Sequence, residues 1–119
     1  MSGKVIRGER MGRKLGYPTA NVNLNRRLSP VLGIFAVRVS GLGDQPLDAV
    51  ASVGTRPTFM GTKPQLEVHI FDFKKDIYGQ HISVDFVARL RSEEKFDDVQ
   101  QLIEQMDRDS AAAREILAA

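Results

Sequence analysis

The sequence predicts a mainly β protein, in which a small closed barrel is followed by one C-terminal helix. Short β-rich segments separated by Gly- and Pro-containing turns continue to about residue 90. After Phe96 the apolar residues recur at helical spacing instead. A chain of 119 residues without a repeat or a linker is typical of one domain. We therefore expect a single domain over residues 1–119, with strands over about 3–90 and a helix over about 98–117.

The strand signal is clearest in "QLEVHIFDF", where Leu66, Val68 and Ile70 share one face and Glu67 lies on the other. "GLGDQP" predicts a turn between antiparallel strands, "KKDIYGQ" a second turn, and "GTRPTFMGTKP" a long turn region. The other predicted strands are Gly3–Arg7, Ala20–Leu24, Gly33–Ser40, Leu47–Val53 and "HISVDFVARL".

The helix signal begins at Asp97, which is the expected N-cap, with Gln100 three residues later, as in a capping box. The pattern allows a break near Asp109. The apolar residues at helical spacing are Val99, Leu102, Ile103, Met106, Ala113, Ile116 and Leu117.

The composition excludes several classes of site. The chain has no Cys, so disulfides, thiolate metal sites and thiol nucleophiles are excluded, and a reducing, cytoplasmic location is expected. With two His and no Cys, a zinc site would need carboxylates as well. A Walker A loop, a G-x-G-x-x-G loop and a G-x-S-x-G motif are all missing from the sequence.

Positive charge is concentrated near the N-terminus. Residues 4–27 carry seven basic side chains and one acidic one, a net charge of +6. Such a segment could attract a nucleotide, a nucleic acid or a phosphorylated surface. The alternative is a solvated loop with scattered charges.

The stretch "MGRKLGYPTANVNL", residues 11–24, lies within this basic segment and leads into a predicted strand. Pro18 favours an extended backbone, in which Thr19 and Asn21 project to the same side while Ala20 points away. Two neutral oxygens at this spacing suit Mg²⁺, which completes its coordination with water and phosphate. The alternative is a turn in which Thr and Asn only cap the strand.

Two further places could carry chemistry. Glu67 has apolar sequence neighbours, an environment that favours a general base, although an ordinary exposed strand position is also possible. The segment "LRSEEKF", residues 90–96, could hold a planar polar ligand with its guanidinium, carboxylates and ring. Alternatively it only joins the last strand to the helix, with Phe96 packing as a hydrophobic staple.

Taken in order, the motifs of this chain resemble those of the riboflavin kinase family, especially the kinase module of bacterial bifunctional FAD synthetases. The resemblance covers essentially the whole chain, and Ser52 stands where many relatives have Asn. The matching stretches are "GRKLGYPTAN", "GIFAV", "GTRPTF", "LEVHIFDF", "DIYG" and "LRSEEKF".

The resemblance implies a six-stranded antiparallel Greek-key β-barrel with a C-terminal α-helix. It also implies transfer of the ATP γ-phosphoryl group to the 5′-hydroxyl of riboflavin with Mg²⁺, giving FMN and ADP. Glu67 would be the catalytic base, and Thr19 and Asn21 would bind the metal and the nucleotide phosphates. The other implied contacts are Gly8, Arg13, Gly16, Tyr78 and Gly79 for ATP, and Arg91, Glu93 and Phe96 for the flavin.

The same resemblance implies that the natural parent carries an N-terminal FMN adenylyltransferase module, which nothing in this chain matches. The chain would then make FMN but not FAD, and no nucleic-acid or membrane partner is expected. The alternative hypothesis is a non-catalytic β-barrel module that binds a flavin or a nucleic acid.

Overall fold

The computed structural model describes residues 2–6, 19–24, 32–59, 61–73 and 75–118. These residues form six strands and one helix. The elements are β1 (Ser2–Ile6), β2 (Ala20–Leu24), β3 (Gly33–Ser40), β4 (Leu47–Thr58), β5 (Gly61–Ile70), β6 (His81–Arg91) and α1 (Val99–Ala118).

The strands close into a barrel in the order β1-β2-β5-β4-β3-β6, and every neighbouring pair is antiparallel. Strands β3, β4 and β5 are successive neighbours, and β6 then returns to lie beside β3, which is a Greek-key arrangement. The predicted fold class is therefore confirmed: a closed six-stranded antiparallel β-barrel with a C-terminal helix.

Mostly aliphatic side chains fill the barrel interior. Leu66 and Val68 of β5 are 0% and 1% exposed, and they pack with Val37 and Val84 from β3 and β6. Because side chains alternate along a strand, the residues between them face outwards. On this outer face a second apolar cluster, which includes Phe71, packs against α1. Polar residues such as Asn21, Ser52 and Glu67 therefore lie on the outside of the barrel.

The long turn region predicted for "GTRPTFMGTKP" is wrong, because β4 and β5 continue through it as a hairpin. The pairing of β4 with β3 ends at Val53, and the pairing of β5 with β2 ends at Leu66. Pro57 and Pro64 therefore lie in a two-stranded extension whose outer edges have no partner among the described strands. Proline is tolerated at such an edge, since its missing N–H removes no hydrogen bond to a third strand.

Helix α1 begins one residue later than the predicted capping box implies. Asp98, not Asp97, is the N-cap: its Oδ1 accepts a hydrogen bond from the Gln100 backbone N–H at 2.8 Å. The helix then runs to Ala118 without a break at Asp109. In the part of the chain described, no helix is long and apolar enough to cross a membrane.

A bidentate ion pair fastens the middle of α1 to the end of β6. Arg91 donates from Nε to Asp109 Oδ1 at 2.9 Å and from Nη2 to Oδ2 at 2.8 Å. Gln105 adds a third hydrogen bond to Asp109, from Nε2 at 3.0 Å. Asp109 is only 7% exposed, so water competes little for these bonds.

The C-terminal half of α1 is held by two further arginines. Arg38 of β3 donates to the carbonyl of Leu117 at 3.1 Å, where a positive charge complements the helix dipole. The Arg114 guanidinium lies 4.3 Å from the centre of the Phe71 ring and binds Asp72 at 3.1 Å. These contacts fix the helix across one side of the barrel.

We expect Asp109→Ala to lower the free energy of unfolding by about 3 kcal/mol, the lower end of the range for breaking a buried pair, because it leaves the largely buried Arg91 without its counter-charge. Urea denaturation followed by circular dichroism measures the change. Glu104→Ala removes an exposed acid from the same helix and is the matched control. A loss below about 1 kcal/mol, a surface-pair value, would contradict this account of how the helix is held.

The hydrogen bond from Arg114 and its charge hold the pKa of Asp72 below its ordinary value of 3.8. The lowered pKa therefore stabilises the folded state at pH values above this ordinary pKa. This stabilisation is lost as the pH falls through the lower pKa that Asp72 has in the folded state. We expect Arg114→Met to raise the Asp72 pKa towards 3.8, as followed by NMR titration of the carboxyl carbon. An unchanged titration midpoint in Arg114→Met would show that the arginine does not cause the shift.

Candidate active site

A cavity of about 210 Å³ lies between the outer face of the barrel and α1 with the loop that precedes it. One wall is the barrel, the opposite wall is α1, and the loop closes one side. The polar or aromatic lining residues include Thr19, Ser52, Glu67, His69, Arg91, Glu93, Phe96, Asp109 and Ser110.

Glu67 lies at the centre of the barrel wall. It pairs in register with Asn21 of β2 on one side and with Ser52 of β4 on the other. Directly paired residues have their Cβ atoms about 4.5–5.5 Å apart and their side chains on the same face. The apolar sequence neighbours Leu66 and Val68 point into the barrel. An amide and a hydroxyl therefore lie beside this carboxylate.

Thr19 and Asn21 are arranged as the extended backbone predicts. Ala20 packs against the interior cluster, while Thr19 lines the cavity. Asn21 is 5% exposed, and its Oδ1 accepts a hydrogen bond from Gln65 Nε2 at 3.0 Å. An amide oxygen has two lone pairs, so this bond orients Asn21 and leaves Oδ1 able to accept a second partner.

All three residues predicted from "LRSEEKF" line the cavity: Arg91, Glu93 and Phe96. The Arg91 guanidinium carbon lies 5.8 Å from the centre of the Phe96 ring, but its N–H groups bind Asp109 and the Ser92 carbonyl. Arg91 therefore positions the loop against α1 through bonds that the sequence did not indicate.

The loop also approaches the barrel closely at Gly54. The carboxylate of Glu93 occupies the space where a Cβ at position 54 would lie. A side chain at this position would require the Glu93 carboxylate to move, so Gly54 permits the close approach.

Tyr78 and Gly79 do not line this cavity. They form a turn in which the Tyr78 N–H donates to Asp76 Oδ1 at 3.0 Å and Gly79 has a φ of 84°. The Gly79 N–H donates to the Val5 carbonyl at 2.9 Å. Ile6, the residue after Val5, pairs with Asn21 of β2. The hydrogen bond to Val5 therefore holds this turn close to Asn21.

Gly8, Arg13 and Gly16 lie outside the described residues, as does most of the basic segment. Within the described ranges, no cluster of three or more His, Asp or Glu side chains is assembled that could hold a metal ion.

Sequence reasoning missed the helix wall of the cavity. Leu102, Met106, Asp109 and Ser110 line it together, and Asp109 falls on the buried stripe of the helix. The helical spacing places Asp109 on the same stripe as Met106 and Ala113. Because a charged residue on a buried helical stripe needs a partner, the sequence could have indicated that Asp109 forms an ion pair.

The family model for riboflavin kinase (flavokinase) matches residues 1–117. The bifunctional riboflavin kinase/FMN adenylyltransferase of Escherichia coli K12 is 49% identical over 115 residues, covering 97% of this chain and 37% of that protein. The protein of the same name from Bacillus subtilis 168 is 38% identical, with 95% and 37% covered. The chain thus spans about 37% of the length of these curated relatives.

Two solved structures share the fold. A Streptococcus pneumoniae protein described as a macrolide-efflux protein aligns with a TM-score of 0.87 and 42% identity, over 95% of this chain and 37% of that one. Riboflavin kinase from Trypanosoma brucei aligns with a TM-score of 0.70 and 23% identity, over 98% of this chain and 78% of that one. With the family match over residues 1–117, the comparisons establish that this chain belongs to the riboflavin kinase family.

Proposed function

We propose that the chain transfers the γ-phosphoryl group of ATP to the 5′-hydroxyl of riboflavin, giving FMN and ADP. The main support for this proposal is the cavity, which is lined by Glu67 on strand β5 together with Thr19 and Phe96. Membership of the riboflavin kinase family supports the choice of substrates.

Glu67 is the proposed general base. As the hydroxyl oxygen attacks the phosphorus atom, its proton passes to the Glu67 carboxylate, while the bond to the ADP oxygen breaks. A positioned base of this kind contributes typically about 10²- to 10⁴-fold to the rate. Most of the remaining catalysis comes from alignment and charge neutralisation, because phosphoryl transfer has a loose transition state.

Thr19 and Asn21 are the proposed ligands of Mg²⁺ and of the nucleotide phosphates. Their hydroxyl and amide oxygens fit this hard cation, which takes few protein ligands. When bound, magnesium neutralises negative charge on the phosphates. We assign Gly8, Arg13 and Gly16 to ATP binding as well, and Tyr78 and Gly79 to the flank of the nucleotide.

Phe96, Glu93 and Arg91 are the proposed flavin-side residues. The cavity volume of about 210 Å³ is below the ~300–1,000 Å³ of a complete small-molecule site. It therefore accommodates part of the substrate. The apolar surface of Leu102 and Met106 suits the flat ring, and the ribityl chain would extend towards Glu67.

The relatives named as bifunctional are much longer than this chain. We propose that the natural parent carries an N-terminal FMN adenylyltransferase module, and that residues 1–119 are the kinase domain. On this basis the chain alone makes FMN but does not adenylylate it to FAD.

The direct test is to incubate the chain with ATP, Mg²⁺ and riboflavin and to separate the flavins by chromatography. We expect FMN and an equal amount of ADP. Riboflavin that binds but stays unphosphorylated would contradict the proposal and favour a flavin-binding module. A thermal shift with an oligonucleotide, and none with either substrate, would favour a nucleic-acid-binding module.

Glu67→Gln keeps the size and hydrogen-bonding capacity of the side chain but removes its basicity. We expect kcat to fall by about 10²- to 10⁴-fold while riboflavin and ATP still bind. Glu94→Gln changes another cavity carboxylate and is the matched control, expected to retain most of the turnover. Full turnover by Glu67→Gln would refute the assignment of the base.

Asn21→Ala removes a proposed phosphate and metal ligand. We expect the KM for magnesium–ATP to rise by about 10- to 100-fold, equivalent to about 1.5–3 kcal/mol, with a smaller effect on riboflavin. Gln65→Ala deletes the hydrogen bond that orients Asn21 but keeps the Asn21 oxygen, so we expect a smaller rise in this KM. An unchanged KM in Asn21→Ala would contradict the assignment of Asn21 as a ligand.

A further inference from the structure

The β5–β6 connection, residues 71–80, carries the turn assigned to the nucleotide, and its C-terminal end is anchored to β1. The Gly79 N–H donates to the Val5 carbonyl at 2.9 Å, and the Val5 N–H donates to the Gln80 carbonyl at 2.8 Å. Ile77 is 7% exposed and packs into the interior cluster of the barrel. The position of the turn is therefore fixed from this end by β1 and the barrel core.

Asp72 sets the direction in which the connection leaves β5. The Phe71 N–H donates to the Asp48 carbonyl at 3.0 Å, so pairing with β4 reaches Phe71. Among the described residues, Asp72 is the only non-glycine with a positive φ, at 55°. Few residues other than glycine adopt this left-handed conformation, although Asp tolerates it. Because the chain turns sharply at this one residue, contacts that hold Asp72 also hold the start of the connection.

Arg114 of α1 makes those contacts. Its Nη1 and Nη2 donate to the two carboxylate oxygens of Asp72 at 3.1 and 3.5 Å, and its guanidinium carbon lies 4.3 Å from the centre of the Phe71 ring. Phe71 in turn packs with Ala113 and Leu117 of the same helix. One arginine therefore holds both the end of β5 and the turn in the chain that follows it. Arg114 lies outside the cavity lining, so these contacts are separate from the proposed flavin contacts.

We propose that Arg114 is a positioning residue for ATP, because through Asp72 it fixes the connection that carries Tyr78 and Gly79. The inference rests on the proposed riboflavin kinase function and adds to it a residue that acts at a distance from the nucleotide. With Arg114 in place, the connection is anchored at both ends. Without it, only a fraction of the molecules hold the turn in the correct position, and the apparent affinity for the nucleotide falls by that fraction.

The test measures the binding of magnesium–ADP and of riboflavin separately, by isothermal titration calorimetry, for the full chain and its variants. We expect Arg114→Met to weaken magnesium–ADP binding about threefold to tenfold, as for the loss of one partly exposed ion pair and one cation–π contact. Riboflavin affinity should be unchanged, since Arg114 lies outside the flavin contacts. The kcat at saturating ATP should also be unchanged, since excess nucleotide selects the correctly placed turn.

Asp72→Asn removes the charge of the partner but still tolerates the left-handed φ, so it keeps the test decisive if Arg114→Met folds poorly. We expect a smaller loss of magnesium–ADP affinity in this variant. Combining it with Arg114→Met should cause no further loss, because the two residues act as one unit. Arg108→Met removes another exposed arginine of α1 and is the matched control, expected to change neither affinity.

An affinity for magnesium–ADP in Arg114→Met equal to that of the unchanged chain would overturn the proposal. An equal loss of affinity for ADP and riboflavin would also overturn it, since Arg114 would then act on the fold as a whole. Additive losses in the double variant would overturn the action through Asp72.

Failure of the underlying function gives a different result. If the unchanged chain bound no magnesium–ADP and made no FMN, the riboflavin kinase proposal and the role of Arg114 would both be rejected. If the unchanged chain made FMN, but Arg114→Met bound magnesium–ADP equally well, only the role of Arg114 would be rejected.

Discussion

The bidentate pair between Arg91 and Asp109 is the interaction on which the candidate site depends. It ties the last residue of β6 to the middle of α1, so that the helix lies across the outer face of the barrel. The cavity is the space that remains between these two surfaces, and the loop with Phe96 closes it at the side. Because both charges are largely buried, the pair fixes one arrangement of the helix rather than many.

The packed interior of the barrel explains why the site is on its outside. Residues such as Leu66 and Val68 pack together inside the barrel, as side chains do in a barrel of few strands. The alternation that buries these residues turns Glu67 outwards, between Asn21 and Ser52. Core packing and the placement of the proposed base are thus two consequences of one strand pattern.

Local patterns in the sequence predicted much of the fold. The alternation around Glu67 placed β5 and its faces correctly, and the helical spacing after Phe96 located α1 to within one residue at each end. The N-cap was misplaced because two adjacent Asp residues fit the same signal, and hydrogen-bond geometry alone selects Asp98. The β4–β5 hairpin was missed because proline breaks a strand only where a neighbouring strand needs its N–H.

Contacts between segments that are far apart in the sequence could not be predicted from local patterns. The spacing of Thr19 and Asn21 predicted a shared direction, but only the strand order shows that β2 lies next to β5, beside Glu67. Arg91 could be identified as a site residue, whereas its bond to Asp109 depends on where the helix crosses the barrel. The resemblance of the motifs to a known family added information on function that periodicity and composition do not contain.

The most direct test of the central claim is a crystal structure of the chain with riboflavin, Mg²⁺ and a non-hydrolysable ATP analogue. The account predicts the terminal ribityl oxygen within about 2.6–3.2 Å of the Glu67 carboxylate, the range required of a general base. It also predicts the flavin ring in the cavity between the barrel and α1. A ribityl hydroxyl directed away from Glu67, or a flavin bound outside this cavity, would contradict it.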